Sequence, residues 1–186
     1  MPTSVKQFDA EALYRDLLEQ VRAGLSDLTA VTDASAVTNA ADVAIVGIHS
    51  GGAWLAERLA ADLGPALGGR LGFIDVSFYR DDYAKKGLRA DVKPSQIGFN
   101  VDRATILLVD DVLNTGRTTR AAINVLFDYG RPARIMLAAL VDRGGRELPT
   151  AADFVATRVS LAPTQALVLA RGADGTFSLT IEEDHA

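Results

Sequence analysis

At 186 residues, with 48% hydrophobic and 23% charged side chains, the chain fits one globular domain large enough to hold its own core. It has no cysteine, which excludes disulfides, thiolate metal sites and cysteine nucleophiles. A formal net charge of −5 argues against a broad nucleic-acid surface; with no signal-like start and no apolar run of the ~18 residues a spanning helix needs, a cytoplasmic location without a membrane partner is expected.

Leu13, Leu17, Val21 and Leu25 recur every fourth residue behind Asp9, which predicts an N-capped amphipathic first helix. After a polar stretch over 32–42, Val43 to Ile48 predicts a short buried strand, and AWLAERLAADLG a helix that stops at Gly64 before Pro65. Phe73 to Tyr79 alternates, with Ile74, Val76 and Phe78 on one face and Asp75, Ser77 and Tyr79 on the other, as in a strand with one polar face. Residues 80–100 are charged and aperiodic, and carry Gly87, Pro94 and Gly98. They are expected to form a long mobile excursion with hairpin character. Thr105 to Val109 predicts a buried strand, and Thr118 to Tyr129 a helix with Ala122, Val125, Leu126 and Tyr129 inward, closed by Gly130 and Pro132. Ile135 to Val141 predicts another strand, followed by short strands around Val168 and over 177–181 with a turn at Asp174-Gly175. No repeat or linker marks a boundary, so residues 1–186 are read as a single domain. Strands alternating with helices imply an α/β fold on a largely parallel sheet, in which ligands bind where strands end and helices begin.

One stretch sits at such a place: ILLVDDVLNTGRTT, residues 106–119, runs from an apolar strand into two aspartates and a small-residue loop that opens a helix. Main-chain N–H groups and the hydroxyls of Thr115, Thr118 and Thr119 suit an anion at a helix N-terminus. Neither the P-loop nor the Rossmann glycine spacing is present. Asp110 and Asp111 would repel a phosphate but suit a vicinal ribose diol, because an ionised carboxylate only accepts hydrogen bonds and a diol offers two donors. The ligand implied is a ribose carrying a 5′-phosphate. Consecutive strand residues point to opposite faces, so both carboxylates reach one ligand only if the chain bends there.

The sequence VDDVLNTGRTT resembles the phosphoribosyl-diphosphate (PRPP) signature of type I phosphoribosyltransferases. With GIHSGGAWLAERLA, DVSFYRDD and LVDRGGRELPTAADFV in the same order, the chain is similar to the pyrimidine operon attenuation regulator/uracil phosphoribosyltransferase family from about Val43 to Val155. Purine and orotate phosphoribosyltransferases share the PRPP loop but not YRDD or VDRG followed by RELP. The resemblance implies a type I phosphoribosyltransferase fold with a hood over 80–100, and transfer of phosphoribose from PRPP to uracil to give UMP and diphosphate. It also implies Mg²⁺, carried by PRPP rather than by direct protein ligands, and a homodimer or higher homo-oligomer. Asp110 and Asp111 would hold the ribose, and Asn114, Thr115, Gly116, Arg117, Thr118 and Thr119 the 5′-phosphate. His49, Ser50, Gly51 and Gly52 would line the diphosphate, Arg80 and Asp81 would begin the hood with Arg80 toward diphosphate, and Val141, Asp142 and Arg143 would meet uracil. Two departures stand out. The family commonly carries a basic residue where this chain has Gly51, and its HREL reads here as Gly145-Arg146-Glu147-Leu148, with alanine where a further basic residue follows. The second departure weakens the family's other role, UMP-responsive binding of a leader-mRNA hairpin, for which Arg143, Arg146 and Arg158 would form the remaining basic patch. Arg143 and Arg146 could equally be surface arginines paired with Glu147.

Overall fold

The computed structural model describes residues 7–30, 43–64, 70–76 and 95–183. In chain order these form β1 (Gln7–Phe8), α1 (Ala10–Ala30), β2 (Val43–Ile48), α2 (Gly51–Leu63), β3 (Leu71–Ile74), β4 (Gln96–Ile97) and β5 (Thr105–Leu113). They continue through α3 (Arg117–Tyr129), β6 (Arg134–Asp142), β7 (Phe154–Arg158), β8 (Gln165–Arg171) and β9 (Phe177–Glu183). Among the described residues, six strands build one sheet in the order β4-β3-β2-β5-β6-β7, parallel except for β4, which pairs antiparallel with β3. The expected α/β architecture is present; of the 80–100 excursion, residues 80–94 lie outside the described residues. A second sheet, β1-β9-β8, joins the two ends of the described chain.

Side-chain alternation sorts the central strands into two cores. Ile45, Leu107, Val109, Met136 and Ala138 face α1, α2 and the second sheet. Val46, Ile106, Leu108, Leu137 and Ala139 face α3. Both faces are covered, which is why these strands read as continuous apolar runs. Cutting a core leucine such as Leu107 or Leu108 to alanine would cost ~2–5 kcal/mol.

Local signals place the elements much as expected. Asp9 caps α1, its Oδ1 accepting the Ala12 N–H at 2.9 Å, and Gly64 ends α2 at φ 72° with its N–H on Ala60 O. Along α1 the buried stripe is Tyr14, Leu17, Val21 and Leu25, with Leu13 only partly covered. On α3 the inner face is Ala121, Ala122, Val125 and Leu126, and Tyr129 is 46% exposed rather than inward, because its ring lies past the last turn that touches the sheet. β3 stops at Ile74; Asp75 and Val76 follow it buried, and 77–79 lie outside the described residues. β7 was not anticipated. It is the sheet's edge, and Gln20 of α1 covers it by donating to Val155 O (3.0 Å) and accepting from Val155 N (3.2 Å). A side-chain amide there stands in for a neighbouring strand's peptide and blunts the edge.

Candidate active site

Because β2, β5 and β6 run parallel, their C-terminal ends bring residues 49–52, 110–116 and 141–143 to one edge of the sheet. Arg80 and Asp81 lie outside the described residues.

β5 does not stop at Val109 as expected but continues through the aspartates to Leu113, paired with β6 by Val112↔Val141 and Leu113↔Asp142. The alternation breaks at this level in both strands. Leu140 and Val141 both face the α1/α2 core, while Leu113 rather than Val112 faces α3. The break falls after Asp111, so it does not by itself turn the two aspartates to one face: Asp110 keeps the alternation of Leu108, and Asp111 lies against Gly51 of α2. Asp110 Oδ1 accepts the Asp111 N–H and Asp111 Oδ1 accepts the Val112 N–H, each at 3.0 Å. Asp110 is only 5% exposed, whereas Asp111 is partly exposed.

The loop that follows is shaped by Gly116, which holds φ 90° at the N-cap of α3. A side chain there would meet Thr150, whose Oγ1 lies 2.7 Å from the position of an added Cβ. Thr115 Oγ1 accepts the Arg117 N–H (3.2 Å), and Gly116 O accepts that of Arg120 (2.9 Å). Asn114, Thr115, Arg117 and Thr118 are partly exposed along this turn. Thr119 is 3% exposed, and its hydroxyl is the one buried side-chain polar atom without a hydrogen-bond partner among the described residues. An orphaned donor in the first turn of a helix, where the N–H groups also lack intrahelical acceptors, is chemistry that an anion would complete.

The His49–Gly52 segment is half loop and half helix. His49 donates its N–H to Ile74 O at 2.9 Å and packs its ring against Phe73, 5.7 Å between centroids, and the His49–Ser50 peptide is cis. Ser50 is exposed, whereas Gly51 and Gly52 form the buried first turn of α2. Their lack of side chains serves packing as well as anion approach. A Cβ on Gly52 would run into Val109 O, and one on Gly51 into the Asp111 carboxylate. Asp111 thus fills the space in which a side chain at position 51 would begin.

At the end of β6 Val141 is buried and Arg143 donates its N–H to Leu113 O at 3.0 Å. Asp142 turns into its own loop, accepting from Gly144 N (2.9 Å) and pairing with Arg146 (2.7 Å). Burial pushes the Asp142 carboxyl up, but hydrogen bonds from Arg146 and Gly144 and the charges of Arg146 and Arg158 outweigh it and hold the group below its ordinary value. Glu147 pairs instead with Arg117 at 2.6 Å, so the alternative of a Glu147 pair with Arg146 is not what forms. Arg158, with 75% of its side chain exposed, lies 3.9 Å from Asp142. Sequence reasoning missed the inward turn of Arg146. Its signal was Gly144-Gly145, both at φ 71°, a reversal that carries the following residue back over the strand ends.

A cavity of about 860 Å³ lies elsewhere, between α2 and the β8–β9 hairpin, lined by Trp54, Arg58, Arg171 and Phe177 among others. Its charges are already used within the fold. In that cleft Arg58 is bound to Glu11 and Arg171 to Glu57, so its cations are already matched. Among the described residues no group of three or more His, Asp or Glu side chains is gathered to hold a metal ion, and no helix is long and apolar enough to cross a membrane.

Comparison with known proteins fits this geometry. The family described as phosphoribosyl transferase domain matches residues 17–165. The bifunctional protein PyrR of Ralstonia nicotianae is 51% identical over 180 residues, covering 95% of this chain and 96% of that protein. The bifunctional protein PyrR of Nitrosococcus oceani is 52% identical over 126 residues, 68% and 71% of the two chains. Among solved structures, the HGPRT-ase of Leishmania tarentolae in complex with GMP superposes with a TM-score of 0.60 at 17% identity, covering 87% of this chain and 85% of that one, a likeness of fold.

Proposed function

Because the chain belongs to the phosphoribosyl transferase family and is a homologue of the bifunctional PyrR proteins, we propose that it joins uracil to the phosphoribosyl group of PRPP, releasing diphosphate and giving UMP. The observation that carries this reading is the strand end at Asp110-Asp111 running directly into the Gly116 turn and the orphaned Thr119 hydroxyl of α3. Those two features match the two ends of a ribose 5-phosphate, a diol and a phosphate.

In the reaction the bond from ribose C1 to a diphosphate oxygen breaks and one to a uracil nitrogen forms, that nitrogen losing its proton to solvent or the departing diphosphate, and positive charge develops on the ring meanwhile. Asp110 and Asp111 orient the ribose through its hydroxyls and favour that charge electrostatically. Gly116 and the first turn of α3 hold the 5′-phosphate, with Thr115 and Thr118 adding hydroxyls. His49, Ser50 and the N-terminal turn of α2 face the leaving diphosphate, and main-chain groups at 141–143 meet the base. No covalent nucleophile is required. Mg²⁺ carried by the diphosphate would fit beside the two carboxylates at the edge of the site, and would neutralise the leaving group. Arg80 and Asp81, outside the described residues, are assigned to the hood on the motif alone.

An absorbance assay with PRPP, Mg²⁺ and a panel of bases tests the proposal. Turnover with uracil above hypoxanthine, guanine and orotate is expected, and turnover with none of them would overturn it. A second reading, UMP-responsive binding of a leader-mRNA hairpin, draws on Arg143 and the exposed Arg158. Because the chain carries a net charge of −5, hairpin binding is expected to be weak and steeply salt-dependent. Submicromolar, UMP-dependent gel shifts at physiological salt would raise regulation to equal rank. A homo-oligomer is part of the same proposal, and light scattering tests it.

A further inference from the structure

We infer that Arg146 is a positioning residue: its guanidinium bolts the base-side loop to the phosphate loop, so that occupancy of one raises affinity at the other. The inference rests on the ribose 5-phosphate and uracil reading of the site.

Arg146 uses its planar fork almost entirely on the protein. Nε donates to Thr150 O (2.9 Å), and Nη1 donates to Asn114 O (2.5 Å), with Gly144 O (3.3 Å) and Leu113 O (3.4 Å) at longer range. Nη2 pairs with Asp142 at 2.7 Å. These acceptors belong to both halves of the site: Leu113 and Asn114 lead into the Gly116 turn, while Asp142, Gly144 and Thr150 frame the loop after β6. The main chain repeats the connection. Glu147 and Leu148 N–H groups both donate to Thr115 O at 3.0 Å, and Thr150 packs against Gly116. A phosphate that settles at Gly116 therefore acts on carbonyls held by the same side chain that orders 142–150. With only 24% of its side chain exposed, Arg146 has few donors left for an outside polyanion. Lysine cannot replace it, because one ammonium on a flexible stem cannot span carbonyls in different directions.

Coupling is measured by titrating uracil calorimetrically with and without ribose 5-phosphate, on the full chain. In the wild type, ribose 5-phosphate should strengthen uracil binding by about fivefold or more, within the usual range for linked sites. Arg146→Ala and Arg146→Lys should bring that factor to about one while the far-ultraviolet dichroism is unchanged, and ethylguanidinium added to Arg146→Ala should restore part of it. Should Arg146→Ala fail to fold, Arg146→Lys carries the measurement. Folded variants that keep the wild-type factor would overturn the inference, as would a wild type that turns over uracil without any coupling. A wild type that turns over no base would overturn the functional reading and this inference with it.

Discussion

Helix α2 borders two regions rich in charge and very different in organisation. Its first turn, Gly51-Gly52, adjoins the strand ends at Asp110-Asp111; its side at Trp54, Glu57 and Arg58 walls the large cleft. In the cleft the charges serve the fold. Arg58 makes two 2.8 Å bonds to Glu11, lies 4.2 Å from the Tyr14 ring centre and 5.1 Å from that of Phe177, and Glu11 also accepts the Phe177 N–H. These contacts tie α1, α2 and β9 together. At the strand ends, by contrast, a left-handed glycine opens α3 without a side-chain cap, the alternation of two strands breaks, and a buried hydroxyl lacks a partner. Local rules are broken where a ligand is expected and kept where only stability is at stake.

The sharpest way to break this contrast is Gly116→Val. A β-branched residue at φ 90° costs ~1–3 kcal/mol in backbone strain alone, and its Cβ would press on Thr150. PRPP binding should disappear from calorimetry, and an unchanged affinity would refute the cradle. Next come Asp110→Asn and Asp111→Asn. The amide oxygen can still accept the neighbouring N–H, so thermal stability should hold, while loss of a charged acceptor for the ribose should lower kcat/KM by roughly 1.5–3 kcal/mol, about tenfold to a hundredfold. Wild-type rates in both variants would remove these residues from the site. Thr118→Ala takes away one partly exposed hydroxyl, and a loss of ~0.5–1.5 kcal/mol in PRPP affinity is expected. A hundredfold loss would mean that the hydroxyl carries more of the phosphate than the backbone does.

Much of this was legible in the sequence, for local reasons. Val43 to Ile48 is a strand over the same residues, since an unbroken apolar run between polar segments admits little else. Asp9, Gly64 and the Asp174-Gly175 turn act where their chemistry places them, with Asp174 accepting from both the N–H and the hydroxyl of Thr176. What escaped depends on distant partners. β1 is two residues long and exists only because β9, from the other end of the chain, pairs with it. Tyr14 is buried because its hydroxyl reaches Asp62 at 2.6 Å across to α2, a contact no helical period reveals. The motif at 106–119 located the aspartates, but neither the cover over Asp110 nor the use of Gly51 as room for Asp111 can be read from spacing.

The smallest effect on activity is expected in the cleft. The Arg58 hydrogen bond, and the Phe177 N–H and nearby arginine charges with it, hold the Glu11 carboxyl below its ordinary 4.5 against the opposing push of burial. The folded state therefore favours the ionised form more than the unfolded chain does. That contribution is complete above about pH 4.5 and is lost as pH falls through the depressed folded value. Glu11→Gln should cost on the order of 1 kcal/mol, because both partners are partly exposed, flatten the acid limb of the stability curve, and leave kcat/KM for uracil unchanged. A large kinetic effect would show that the cleft and the strand ends are coupled after all.

The central claim is that the strand ends, not the cleft beside α2, receive the nucleotide. A crystal structure with UMP tests it most directly. The phosphate should lie against the main chain of 115–119, the ribose hydroxyls on Asp110 and Asp111, and the base beside 141–143. Nucleotide density between Trp54 and Arg171, with the strand ends vacant, would contradict the account.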